Sequence, residues 1–206
     1  MRIKKINQLT AGMAVLAMIM ILAGCGSTSV KRVDVDKTVD LSGRWNDTDS
    51  RLVSEEMIKD VMERHWIGTH RQENKGKNPS VIVGTVRNRS DEHINTQTFV
   101  KDLERSLINS GEVDLVADSG QREEVRTERL DQASHASEET AKEEGREIGA
   151  DFMLQGVINT ITDRVDGKQV KYYQVNLELI NMENHKKVWL GEKKIKKVVE
   201  QKKNWL

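Results

Sequence analysis

Hydrophobic and polar residues alternate along this chain in four distinct manners, and each predicts a different element. Basic Arg2, Lys4 and Lys5 precede an apolar run over 11–23, which closes on Leu22-Ala23-Gly24-Cys25. The run is too short for a comfortable membrane span, and with its charged flank it predicts a secretory signal over 1–24. Residues 25–41 are polar, valine-dotted and without helical period, so they read as a tether. About 15 such residues reach about 50 Å when fully extended. Helical spacing then begins. Val53, Met57, Ile58, Val61, Met62 and Trp66 predict an amphipathic helix over 50–66. Asp49 or Ser50 is its expected cap, with Glu55 and Glu56 favouring its positive end. Trp45, just before it, is either a plug in the core or a partner contact.

A polar loop is expected over 69–78. Beyond Pro79, the apolar stretch 80–86 predicts a strand buried on both faces, followed by a charged loop over 87–93. A second helix opens at Asn95 or Thr96, carries Phe99, Val100, Leu103, Leu107 and Ile108 as its buried stripe, and ends at Gly111. A short strand is expected over 112–117, then two charged helices over 120–134 and 137–147, the second stopped by Gly149. Phe152, Leu154, Gly156 and Ile158 begin a long strand, and Asp166-Gly167 marks a hairpin turn. The return strand alternates strictly. Tyr173, Val175, Leu177 and Leu179 face inward, while Gln174, Asn176 and Glu178 face water. A last strand is expected over 187–193, around Val188, Trp189 and Leu190. The order predicts an α/β fold: a mixed sheet of about five strands flanked by helices. That domain spans 42–197, with 198–206 as a basic tail.

Composition changes this picture little. Lys and Arg number 33 against 33 Asp and Glu. Loss of the signal leaves the remainder slightly acidic, which argues against a nucleic-acid binder. Cys25 is the only cysteine, so no disulfide is available within the chain. Cys25 does fit a lipobox. In that chemistry its thiol takes a diacylglyceryl group, the peptide before it is cleaved, and the new amino terminus is acylated.

No Gly-rich loop joins a strand to a helix, and no nucleophile elbow is present, so neither a cofactor nor a small-molecule substrate is implied. His65, His70, His93, His135 and His185 are scattered, so no metal is expected. Asp47 and Asp49 read as turn and cap residues. Glu123/Glu124, Glu138/Glu139 and Glu143/Glu144 are sequence neighbours, which diverge around a helix. A hydrolase using scattered carboxylates would have to gather them some other way.

Several stretches together resemble the LpoB family, outer-membrane lipoproteins that activate class A penicillin-binding proteins. They are the lipobox, 42–49 (SGRWNDTD), 83–90 (VGTVRNRS) leading to Phe99, 107–111 (LINSG), 148–156 (IGADFMLQG), 173–179 (YQVNLEL) and Val188-Trp189. The resemblance covers about residues 40 to 195. It implies a small α/β domain akin to the amino-terminal domain of TolB, no catalytic residues, and a class A penicillin-binding protein as partner, whose glycan polymerisation it stimulates. Gly26 after the lipidated Cys25 implies the outer membrane, facing the periplasm. The family's long proline-rich tether has no counterpart here, since Pro79 is the only proline. A domain held close to its membrane equally suits a structural or assembly role in the envelope.

Three surfaces are candidates for partner binding. Arg87, Asn88 and Arg89 sit at the carboxyl end of a strand, where α/β sheets place binding loops. Tyr172 lies out of phase with its buried neighbours and is a possible anchor. The lysines from Lys193 to Lys203, with Trp205 and Leu206, form either a segment that lies on an anionic membrane surface or on acidic cell-wall polymer, or a solvated terminal helix or frayed tail.

Overall fold

The computed structural model describes residues 29–34, 37–135 and 147–200. The chain divides into Met1–Lys37 and Thr38–Leu206. In the first unit the described residues form no helix or strand. Everything below concerns the second. Cys25, the tail 201–206 and most of the helix expected over 137–147 lie outside the described residues.

Helix α1 is Asp47–Met62. Its cap is Asn46 rather than Asp49 or Ser50. Asn46 has an extended backbone (φ −136°, ψ −176°), and its Oδ1 accepts the Asp49 N–H at 3.0 Å. Asp49 answers by accepting the Asn46 N–H at 3.0 Å, closing a capping box. The acids of the first turn are therefore Asp47 and Asp49, not Glu55 and Glu56. The helix stops at Met62, and a second one, α2 (Trp66–Glu73), occupies much of the expected polar loop. Trp66, Ile67 and His70 are its buried residues, a stripe interrupted by Gly68 and by polar neighbours.

Strand β1 (Ser80–Arg89) runs three residues beyond the expected Val86. Arg87, Asn88 and Arg89 pair with Val157, Ile158 and Asn159 of β3, so they are strand and not loop. Asn95 caps α3 (Thr96–Ser110), and Gly111 ends it at φ 68°. Phe99, Val100, Leu103 and Leu107 are buried. Ile108 is 58% exposed, because one residue on from Leu107 the helix has turned away from the sheet. Strand β2 is only Asp114–Leu115. Helix α4 (Ser119–His135) buries nothing.

The sheet closes with β3 (Phe152–Val165), β4 (Lys168–Asn181) and β5 (Lys187–Glu200). Asp166 and Gly167 both take positive φ, 43° and 79°, as a two-residue hairpin requires. Strand β5 is twice its expected length. The basic cluster Lys193–Lys197 is strand, as are Val198 and Val199; a solvated helix or frayed tail is not what these residues form. The strand order is β2-β1-β3-β4-β5, parallel on either side of β1 and antiparallel thereafter. The fold is thus α/β with a mixed five-stranded sheet.

Helices α1 and α3 pack together on one face, α1 reaching β5 and α3 reaching β1 and β2. The core lies between them and Val81, Val83, Val86, Leu154, Ile158, Tyr173, Val175, Leu177 and Leu179. The burial of β1 on both faces is not found. Val81, Val83 and Val86 are buried while Ile82 and Gly84 are half-buried, because among the described residues the opposite face is largely left uncovered.

The segment leading into α1 crosses the helix-bearing face near the hairpin end. The Trp45 ring meets Phe99 and Tyr173 edge-on, with centroids 6.1 and 5.7 Å away, so Trp45 is a core plug. Beneath it lies a buried polar group. Glu92 Oε2 accepts from the Tyr173 hydroxyl at 2.9 Å and from the Trp45 N–H at 3.1 Å. Its other oxygen pairs with the Lys171 ammonium, whose side chain is buried, while that of Glu92 is 9% exposed.

Candidate functional site

Period-two geometry decides which residues share the uncovered face. Arg87 and Arg89 register with Val157 and Asn159, which register with Asn176 and Gln174. The rows continue to Glu192 and Lys194 of β5. The next row is Ile161, Tyr172 and Lys196, and the one after is Asp163, Val170 and Val198. One face therefore carries Arg87, Arg89 and Tyr172 together. Asn88 has the opposite parity and is not among them. Its side chain donates to the Glu92 carbonyl at 2.7 Å and accepts the Ser90 N–H at 2.9 Å. It shapes the turn after β1.

A shallow hollow of about 370 Å³ is sunk into this face, lined by Thr85, Arg87, Arg89, Gln155, Glu178 and Glu192 among others. Its carboxylates already have partners. Glu178 accepts from Lys187 at 2.5 Å and Gln155 at 2.7 Å. Those bonds, with Arg87 nearby, hold its carboxyl below the usual range. Glu192 is bound by Lys194 at 2.6 Å and Gln174 at 2.5 Å. The Lys194 ammonium is held protonated mainly by Glu192, with a smaller contribution from the Tyr172 hydroxyl. No hydrogen bond or ion pair engages the Arg87, Arg89 or Lys196 side chains among the described residues.

Three apolar residues on this face were not singled out by sequence reasoning: Ile161 (67% exposed), Leu190 (68%) and Val198 (64%). Ile161 continues the alternation past Ile158, and Leu190 lies in the expected last strand but was not read as a surface residue. Exposed aliphatic groups, a half-buried tyrosine and unpaired guanidinium groups make a surface suited to another protein.

A larger cleft of about 910 Å³ lies at the other end of the sheet, between α2, the start of β3 and the β4–β5 turn. His70 Nε2 is 3.6 Å from Asp151 Oδ2 there. That oxygen also accepts the Ser80 N–H at 2.7 Å, so the pair fastens α2 to the first residues of β1 and β3. The described residues hold no cluster of three or more His, Cys, Asp or Glu able to bind a metal. No helix among them is long and apolar enough to cross a membrane.

The described residues thus make an α/β domain with one helix-covered sheet face and an opposite face of mixed apolar and basic residues. The chain belongs to the LpoB family: residues 49–195 match the family model described as peptidoglycan-synthase activator LpoB. It is thus a member of a family of regulators rather than of catalysts, with penicillin-binding proteins as the kind of partner. A search of curated proteins finds no match. Among solved structures the chain is similar to the LpoB C-terminal domain from Escherichia coli (13% identity, TM-score 0.45, covering 71% of this chain and 98% of that one). It is also similar to that from Salmonella enterica (15%, 0.43, 71% and 98%). A third is lipoprotein GNA1162 from Neisseria meningitidis (17%, 0.39, 58% and 83%).

Proposed function

We propose that this chain is a lipid-anchored regulator that docks its bare sheet face on a bifunctional, class A penicillin-binding protein and stimulates glycan polymerisation. Diacylated Cys25 anchors it in the outer membrane, and the domain faces the periplasm. Family membership supports the kind of activity. The single observation that carries the docking surface is the unpaired Arg87 and Arg89 beside Ile161, Tyr172 and Leu190 on one face. The domain contributes no chemistry of its own. It shifts the synthase toward its active conformation, and it does so only as far as it binds that conformation more tightly.

The test is capture of each class A penicillin-binding protein of the same organism by the full lipoprotein, followed by a glycan-polymerisation assay. Saturable binding with faster polymerisation is expected. The double change Arg87→Ala/Arg89→Ala weakens capture about tenfold or more, as loss of interface arginines does, while the melting temperature stays put. Absence of binding to every such synthase overturns the proposal. The shortness of segment 25–41 would then favour an assembly role near the outer membrane, with outer-membrane or peptidoglycan partners.

A further inference from the structure

Residues 38–46 form a small closed loop at the point where the tether meets the domain. The Asn46 side-chain amide donates to Asp40 Oδ1 at 2.6 Å and to the Val39 carbonyl at 3.5 Å, so the two ends of the segment touch. The Lys197 ammonium of β5 gathers Asp40 Oδ1 (2.7 Å), Asp49 Oδ2 (2.6 Å) and the Arg44 carbonyl (3.1 Å). The Tyr173 hydroxyl reaches the Gly43 carbonyl at 3.3 Å.

What is missing matters as much. Among the described residues no backbone–backbone hydrogen bond joins 38–45 to any strand. Leu41 is 92% exposed, and Trp45 is the segment's one large group against the core. The β4–β5 ladder is complete beneath it, through Lys168 and Glu200. Opening the loop breaks side-chain contacts but no sheet bonds, the mark of a unit that opens below the global unfolding free energy.

We propose that residues 38–46 are a releasable strap: closed, they hold slack in the tether, and opened, they lengthen it by about 20 Å, the span of six extended residues. Lys197 is the latch and tension along the tether is the trigger. The use of that slack, reach toward a synthase in the opposite membrane, rests on the function proposed above.

Hydrogen exchange on the full-length lipoprotein tests the device without reference to any partner. Lys197→Met is expected to speed exchange of the Trp45 amide, which donates to Glu92, at least tenfold, leaving β1, β3 and α3 protected as before. Unchanged Trp45 protection, or loss of protection everywhere at once, overturns the strap. A second variant locks it. A Cβ placed on Gly43 lies 3.6 Å from Val199 Cβ, inside the range that disulfides span, and the strain of a side chain at φ 65° is common to the oxidised and reduced forms. Oxidised Gly43→Cys/Val199→Cys is expected to lose at least tenfold of its stimulation in intact envelopes, to regain it on reduction, and to match the wild type with the same synthase in detergent, where reach is irrelevant. Full stimulation in envelopes by the locked form overturns the reach reserve. If the wild type fails in detergent, the functional proposal falls, and the strap is then decided by exchange alone.

Discussion

Glu92 shows how much one side chain organises here. It fixes Lys171 and Tyr173 of β4 and the Trp45 amide, joining two segments far from it and from each other in sequence. Burial opposes its charge, but the Lys171, Trp45 and Tyr173 hydrogen bonds outweigh that and hold its carboxyl below the usual glutamate range. Burial and the same carboxylate push the Tyr173 hydroxyl upward. A carboxyl lowered by folding stabilises the native state above its unfolded value and loses that contribution as pH falls through the folded one. Thermal melts of the wild type and Glu92→Gln should therefore differ at neutral pH and converge below about pH 4.5, the range where free glutamate takes its proton. Lys171→Met removes the carboxylate's cationic partner, leaving the Trp45 and Tyr173 donors, and should cost about 3 kcal/mol in urea unfolding. None of this was legible in the sequence. Glu92 reads as one polar residue in a charged loop, and Lys171 as one in a strand that is otherwise cleanly alternating. A buried ion pair between residues 79 apart in sequence leaves no local pattern.

At the scale of elements, legibility followed the strength of the local signal. Helix α3 was read almost to the residue because Asn95 and Gly111 punctuate it and Phe99, Leu103 and Leu107 repeat cleanly. Gly111 has nothing within 4 Å of where a Cβ would go, yet its φ is 68°, so only backbone strain opposes a side chain there. Gly111→Ala should lower stability by about 1 kcal/mol by chemical denaturation, and Gly111→Asn by less. Helix α2 was missed because one turn of burial at Trp66, Ile67 and His70 is too brief to register as periodic. The far half of β5 was missed for another reason. Lys193, Ile195, Lys197 and Val199 do alternate with Lys194, Lys196 and Val198, but lysines stand on both sides of that alternation. Some bind carboxylates inward, as Lys193 does with Glu56 and Lys197 with Asp49, and the sequence shows only their charge.

Over the whole molecule, the α/β class and the mixed sheet could be read from the element order, and the bare face could not. Each strand shows which of its residues alternate; none shows whether a second layer of helices exists to cover the other side. The same limit governed the site. Arg87, Asn88 and Arg89 were singled out together and Tyr172 apart from them, and it was the register of β1, β3 and β4 that put Arg87, Arg89 and Tyr172 on one face and turned Asn88 away. Changes on that face should separate binding from folding, since it is not needed for the core. The melting temperature of Arg87→Ala/Arg89→Ala serves as the internal control for its loss of partner capture.

Strand β5 stands at the edge of the sheet for 14 residues, and its outer backbone is a ready template for another strand. What keeps one copy of the protein from zipping onto the next is charge: successive lysines cannot be laid against their own images without repulsion. The basic stretch thus acts as a colloidal guard, whatever else it touches. Replacing Lys194 and Lys196 by valine should leave the monomer folded yet make it self-associate, visible as light scattering that climbs with protein concentration. Scattering no greater than the wild type's would show that the edge is protected by some other means.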